Sequence, residues 1–209
     1  MSEDKSKDIG IKLKNGKVLL ITNNDLDGFS CFIITKFYVN DVELAICDLE
    51  EAQDKIQKIS MYEDLSNYDL VIISGLSLPL ELVKEFNKYC KEDGTKLYIV
   101  DHHKESIKNG LDKLKFAKIS AESCSTELLS NIFKSLGGNS NNSLEQYIEL
   151  VKQSKIIEEG CSSKLAKEIN ALYSKICNVE FYKKFMTKIL GNEQIKLDEN
   201  ERKLLKTNV

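Results

Sequence analysis

The sequence predicts a doubly wound α/β fold with a mainly parallel sheet of about five strands, followed by a helical C-terminal half. Short runs rich in β-branched and aliphatic residues alternate with segments of helical length as far as Ile119. The runs VLLIT, LVIIS and LYIV are almost continuously apolar, as expected of strands that helices cover on both faces. Beyond Ser123 helical patterns dominate, so the sheet is expected to end there.

The order of the elements follows from these patterns. Strands are predicted at Val18–Thr22, Val42–Cys47, Leu70–Ser74, Lys96–Val100 and Phe116–Ile119. The intervening helices are predicted at Gly28–Val39, Leu49–Ile59 and Pro79–Lys91, and the later ones at Thr126–Leu136, Leu144–Ile157, Ser163–Ile176, Glu180–Leu190 and after Asp198. The single proline, Pro79, stands where the third helix begins, and Ser77 is its predicted N-cap.

We expect three parts along the chain: a flexible tail over residues 1–10, an α/β domain over 11–157 and a helical extension over 158–209. Gly137-Gly138-Asn139 is interpreted as a loop. The aromatic stretch Phe181–Phe185 is either core or a surface for a protein partner.

Composition narrows the function classes. The 30 basic residues against 33 acidic ones give a net charge of −3, which argues against an extended nucleic-acid duplex as the main partner. No apolar run is long enough to cross a membrane, and six scattered cysteines without close pairs suit reduced thiols in the cytoplasm. Since only one basic residue is an arginine, lysines and backbone amides are the expected anion binders.

Polar side chains gather directly after three of the predicted strands. Asn23-Asn24-Asp25-Leu26-Asp27-Gly28 follows the first strand, Gly75-Leu76-Ser77 the third, and Asp101-His102-His103-Lys104 the fourth. Ligands of open parallel sheets bind at the carboxyl ends of the strands, so these residues predict a site there. Alternatively, aspartates in such positions cap helices or form turns.

The segments N-N-D-L-D-G and D-H-H-K resemble the DHH phosphoesterases, a family of exonucleases, nanoRNases, cyclic dinucleotide phosphodiesterases and pyrophosphatases. The family's first motif, H-x-D-x-D-G, falls on Asn23, Asp25, Asp27 and Gly28, and its D-H-H motif falls on residues 101–103. Ser123–Leu129 resembles the family's helix start after the fifth strand. The resemblance extends over residues 17–155 and implies an α/β domain that hydrolyses phosphoesters with two divalent metal ions.

Three ligands that the resemblance implies are missing. The family has a histidine at Asn23, a metal-bridging aspartate at Gly75, and an aspartate within 151–155, where this chain has Ser154 or Lys155. Asp25, Asp27 and His102, with Asp101 beside them, remain for one weakly held Mn²⁺ or Mg²⁺ ion, or none. Lys155, and after it Lys104, are candidates to place an ammonium in the vacated position. The family's Gly-rich second domain has no expected counterpart.

The pocket and its anion-binding groups are expected to persist. In the family the second histidine, here His103, contacts the substrate phosphate, and hydroxyls such as those of Ser125 and Thr126 begin a nearby helix. The predicted ligand-binding residues share a position at or near strand ends: Asn23, Asn24, Asp25, Asp27, Gly75, Ser77, Asp101, His102, His103, Lys104, Ser125 and Thr126.

Three hypotheses follow for the function. The first is a protein that binds, and thereby sequesters, a nucleotide, cyclic nucleotide or short oligonucleotide with little or no hydrolysis. The second is an active manganese-dependent phosphodiesterase with Asp25, Asp27, His102 and His103 as catalytic residues. The third is a scaffold that binds a protein partner through its helical half. A homo-oligomer is compatible with all three.

Overall fold

The computed structural model describes residues 15–155 and 163–206, and the predicted tail over residues 1–10 lies outside them. The chain divides into two compact units. The first extends to Gly138, and the second begins at Asn139.

The first unit contains a five-stranded sheet in which every neighbouring pair of strands is parallel, as predicted. Its strands are β1 (Lys17–Asn23), β2 (Asp41–Cys47), β3 (Leu70–Ser74), β4 (Lys96–Asp101) and β5 (Ala117–Ile119). Their order across the sheet is β2-β1-β3-β4-β5. The direction of winding reverses between β1 and β3, so the carboxyl ends of these strands border the crevice where ligands of such sheets bind.

Helices connect the strands and cover both faces of the sheet. They are α1 (Leu26–Tyr38), α2 (Ala52–Tyr62), α3 (Leu80–Glu92), α4 (Lys104–Lys108) and α5 (Ser125–Ser135). The helix predicted from Leu49 begins as a 3₁₀ turn, Leu49–Glu51. The five-residue helix α4 is not predicted by the sequence, because it is too short to show a periodic pattern.

Alternate residues of the central strands point to opposite faces. Leu19 and Ile21 of β1 share one buried cluster with Ile56 of α2 and Phe86 of α3. The other face of β1 carries Leu20, which is equally buried, and helices α1 and α5 pack against each other on that side. The sheet is therefore covered on both faces at its centre, which explains its continuous apolar runs.

The predicted N-cap of the third helix is wrong. Pro79 itself occupies the cap position of α3, and no side chain caps the helix there. Ser77 lies two residues before the cap, too far back to reach the amides of the first turn. Its hydroxyl instead forms a hydrogen bond of 3.2 Å with the hydroxyl of Ser106.

The second unit is helical, as predicted. Its helices are α6 (Asn142–Lys155), α7 (Lys164–Tyr173), α8 (Asn178–Leu190) and α9 (Glu199–Lys206). The predicted end of α6 at Ile157 lies outside the described residues. Phe181 and Phe185 are fully buried, with ring centroids 4.4 Å apart, and Phe185 packs on the buried ring of Tyr147. Phe181 and Phe185 of α8 are thus core residues, and a partner surface on this helix stays a prediction.

Two further predictions concern membrane-spanning helices and the state of the cysteines. No helix in the described part is long and apolar enough to span a bilayer. The described cysteines are all free thiols: Cys31, Cys47, Cys90, Cys124 and Cys177.

Candidate functional site

The loop after β1 is shaped by its own side chains. Asp25 is the N-cap of α1, where its Oδ1 accepts a hydrogen bond from the Gly28 amide at 2.7 Å. A Cβ at Gly28 would lie 2.1 Å from the carbonyl oxygen of Asn23, so only glycine fits at this close approach. Asn23 uses its Oδ1 to accept from the amide of Asn24 at 2.9 Å. The alternative prediction, that an aspartate after this strand caps a helix, is therefore confirmed for Asp25. Asn24 of the same loop is exposed to solvent.

Asp27 joins α1 to the N-terminus of α5. The carboxylate is 1 % exposed and accepts from the amide of Ser125 at 2.9 Å and from the amide of Thr126 at 3.0 Å. The Thr126 hydroxyl adds a third hydrogen bond at 2.7 Å. Negative charge is stabilised at a helix N-terminus, where backbone N–H groups lack partners within the helix. Both carboxylate oxygens thus act in the tertiary structure of the first unit.

Asp101, the last residue of β4, is fully buried and fixes the segment that follows it. It accepts from the His102 amide at 2.8 Å, from His103 Nδ1 at 2.7 Å and from the Ser106 hydroxyl. Burial works to raise the pKa of Asp101, but the hydrogen bonds from His103 and Ser106 and the charges of both histidines outweigh it and hold the pKa below its ordinary value. Asp101 is therefore a carboxylate that orients an imidazole.

The two imidazoles lie side by side with ring centroids 4.3 Å apart. His102 Nδ1 lies 3.0 Å from the Ser125 hydroxyl and 3.3 Å from Oδ2 of Asp27. Each ring thus turns Nδ1 towards a buried carboxylate and Nε2 away from it. The side chains of His102 and His103 are 15 % and 28 % exposed, so both rings lie at the wall of the site.

Gly75 directly follows β3 and lies next to these groups. Its backbone has a φ of +65°, in the left-handed region that favours glycine. A Cβ built at Gly75 would lie 3.6 Å from the Ser125 hydroxyl and 3.7 Å from Cβ of Asn23, both ordinary van der Waals distances. The space that a side chain would occupy at this strand end therefore lies between the β1 loop and the start of α5.

The structure brings most of the predicted residues of the first unit into one hydrogen-bonded group, because β1, β3 and β4 are adjacent and parallel. Ser125 and Thr126 are fully buried. Ser125 forms a hydrogen bond with His102 and Thr126 with Asp27, so both hold site residues in position. Lys104 begins α4 and is exposed. Lys155 is the last residue of α6, and its predicted role stays a prediction.

Sequence reasoning missed Ser106 as a site residue. Its buried hydroxyl donates to Asp101 and bridges to Ser77, linking the ends of β4 and β3. The only signal in the sequence is a serine five residues after the aspartate, in the first turn of a helix too short to be predicted.

Among the described residues at the ends of β1, β3 and β4, the donors do not fit a pair of metal ions. Gly75 supplies no ligand, Asn23 supplies an amide oxygen that already accepts from Asn24, and the oxygens of Asp27 accept from α5. Among the described residues, Asp101, His102 and His103 do form a group whose ligand atoms lie within 4.8 Å of one another, which suits at most one ion. A weak ion at Asp25, Asp27 and His102 stays a prediction.

The chain is similar in sequence to a known protein. No family model matches the chain. It is 26 % identical over 194 residues to the oligoribonuclease NrnB of Bacillus subtilis (strain 168), an alignment that covers 89 % of this chain and 48 % of NrnB. The chain thus spans about half the length of this curated relative.

The fold of the chain is similar to that of a solved structure. An uncharacterized protein from Helicobacter pylori G27 matches 90 % of this chain and 60 % of its own, with a TM-score of 0.68 at 15 % identity. The pGpG-specific phosphodiesterase PggH from Vibrio matches with a TM-score of 0.49 at 14 % identity, over 90 % of this chain and 58 % of its own.

Proposed function

We propose that this chain, a distant homologue of the DHH-family phosphoesterases, binds a nucleotide, cyclic nucleotide or short oligonucleotide at the carboxyl ends of β1, β3 and β4, with little or no hydrolysis. One observation carries the proposal: at the switch point of the sheet Gly75 offers no side chain, and next to it both oxygens of Asp27 are bound by α5. Binding with slow turnover amounts to sequestration of the ligand.

The paired histidines support binding. Asp101 holds His103 by Nδ1, so the ring is fixed without help from a metal ion. An imidazole that carries protons on both nitrogens donates to a carboxylate through Nδ1 and to a phosphate oxygen through Nε2. The N-terminus of the 13-residue helix α1 adds backbone N–H groups and a positive dipole end at the same edge of the sheet. Together these groups suit a phosphate.

The missing ligands support slow hydrolysis. Two-metal hydrolysis of a phosphodiester requires one ion to activate water and a second to stabilise the leaving oxygen. The described residues of the first unit provide no carboxylate at Gly75 to bridge such a pair. We therefore assign phosphate binding to His103, positioning of that ring to Asp101, and a structural role to Asp27.

Similarity to NrnB supports a short oligoribonucleotide as the first ligand to test, since NrnB is named an oligoribonuclease. Calorimetric titration with a mononucleotide, a cyclic dinucleotide and a triribonucleotide, each in the presence of EDTA, is the experiment. We expect saturable binding of at least one ligand, lost in His103→Ala and kept in Glu105→Gln, which changes an exposed neighbour on α4. Absence of binding across the whole panel would reject the proposal.

A second candidate is a working phosphodiesterase with a single ion. The grouping of Asp101, His102 and His103 within 4.8 Å favours it. This candidate requires hydrolysis of a labelled triribonucleotide that depends on added Mn²⁺ and is abolished in His102→Ala. A ligand that stays bound and intact on the wild type in the presence of added Mn²⁺ excludes this candidate.

A further inference from the structure

A basic pocket lies in the second unit, between helices α7 and α9. Its volume is about 480 Å³, within the ~300–1,000 Å³ typical of small-molecule sites. Four cationic side chains line it: Lys164, Lys196, Arg202 and Lys206. Glu168 is the one carboxylate among its described lining residues. The pocket thus concentrates positive charge in a chain whose net charge is −3.

The helices that bear these cations are fixed in place. Asp198 caps α9, with its Oδ1 accepting from the Glu201 amide at 2.8 Å while Glu201 Oε2 accepts from the Asp198 amide at 2.6 Å. The buried carboxylate of Glu201 also pairs with Lys184 at 3.3 Å and with Lys188 at 3.7 Å, both on α8. Helix α9 is therefore anchored by its first turn.

The same anchoring aims one face of α9 at the pocket. Arg202, Leu205 and Lys206 are spaced by three and four residues, so they share that face. Across the pocket, Glu168 of α7 lies 3.8 Å from Lys164 and 3.8 Å from Arg202, and its side chain is 18 % exposed. One carboxylate lies between two of these cations, and among the described lining residues it faces four positive charges.

All four cations are exposed to solvent, with the side chain of Lys164 90 % and that of Arg202 55 % exposed, but they surround one concave surface. Like charges around a concave surface repel one another and concentrate the local field, which lowers stability unless an anion binds. The only arginine of the chain is among them, and a guanidinium is the side chain best suited to two-pronged hydrogen bonding of phosphate. Leu165 and Leu205 add apolar surface to the lining, of the kind on which a nucleobase packs.

We propose that this pocket is a second ligand site, which binds a nucleotide carrying two or more phosphates. The phosphates lie among Arg202, Lys206, Lys164 and Lys196, and the base lies against Leu165 and Leu205. The lining residues all belong to the second unit, so this proposal can be tested independently of the function proposed for the first unit.

The test is calorimetric titration of the full chain with ADP, inorganic pyrophosphate and AMP, in the wild type and in a His103→Ala background. We expect ADP to bind more tightly than pyrophosphate or AMP, and this affinity to persist in His103→Ala. Arg202→Gln with Lys206→Gln is expected to weaken ADP binding at least about tenfold, because two charge-assisted contacts are lost. Lys183→Gln, an exposed change on α8, is expected to leave it unchanged.

Glu168→Gln provides a test of opposite sign. Removal of the single lining carboxylate is expected to tighten ADP binding by roughly threefold to tenfold, since a repulsive charge is lost while the volume is kept. Added NaCl is expected to weaken binding in every variant that retains the cations. Absence of ADP binding, or equal affinity in the wild type, the Arg202/Lys206 double variant and Glu168→Gln with unchanged circular dichroism, would overturn the proposal.

Discussion

Thr126 binds Asp27 twice: its amide and its hydroxyl both donate to Oδ1, at 3.0 Å and 2.7 Å. A carboxylate that the family resemblance assigns to metal chemistry therefore holds the first turn of α5 against α1. Removal of this carboxylate is therefore expected to lower the stability of the fold.

Asp27→Ala is expected to destabilise the chain by at least about 2 kcal/mol, because buried donors on Ser125 and Thr126 lose their acceptor. Urea unfolding followed by circular dichroism measures the change. Asp25→Ala, which removes one cap at a half-buried position, is the matched control and should cost about 1 kcal/mol. Equal costs for the two variants would contradict the structural role of Asp27.

Adding the two ligands that the family resemblance implies at positions 23 and 75 should raise metal affinity. Gly75→Asp places a carboxylate in the space between Asn23 and Ser125, and Asn23→His adds an imidazole beside it. We expect the double variant to bind more Mn²⁺ per chain than the wild type, as measured by calorimetry. The left-handed backbone at Gly75 costs the variant roughly 1–2 kcal/mol of stability. Gly75→Ala carries the same strain without a ligand and serves as the control; a metal affinity that rises equally in it would refute this prediction.

The cap of α9 gives the second unit a pH dependence. The pKa of Asp198 is lowered, chiefly because its carboxylate accepts from the Glu201 amide. A depressed folded-state pKa means that the stabilisation is fully present above the ordinary aspartate range and is lost as the pH falls through the lowered value. In Asp198→Asn the stability should therefore fall less steeply than in the wild type as the pH drops below about 4. Thermal unfolding of both proteins from pH 7 down to pH 2.5 tests this. An identical fall in melting temperature with pH in the two proteins would contradict it.

Thiol reactivity should separate the described cysteines into two groups. Burial raises the pKa of Cys47 to about 11 and that of Cys90 to about 12, and it also raises those of Cys31 and Cys124. Cys177 is exposed. Alkylation by iodoacetamide at pH 8, followed by peptide mass spectrometry, should label Cys177 in the native state and the other four only after denaturation. Rapid native labelling of Cys31 would show that the core opens beside Asp27.

The sheet could be predicted because its chemistry is local. The runs LVIIS and VLLIT are apolar up to a terminal serine and threonine, and both end within one residue of the observed strand ends. Because the strands are parallel, the positions of Asp27 and Asp101 at one edge followed from their places at the carboxyl ends of β1 and β4.

The partners of these residues could not be predicted. The bond from Thr126 to Asp27 joins residues 99 positions apart, and the link from Ser106 to Ser77 depends on a five-residue helix without a periodic pattern. Likewise, the basic pocket combines residues of α7 with residues of α9, which only the packing of these two helices brings together. Sequence patterns mark elements, whereas such contacts depend on tertiary geometry.

Native mass spectrometry of the chain mixed with a triribonucleotide and manganese acetate tests the central claim most directly, because one spectrum reports the bound ligand and the metal count together. We predict a complex that contains the intact trinucleotide and at most one manganese ion, unchanged after prolonged incubation. A complex with two manganese ions, accompanied by the masses of mononucleotide products, would contradict the account.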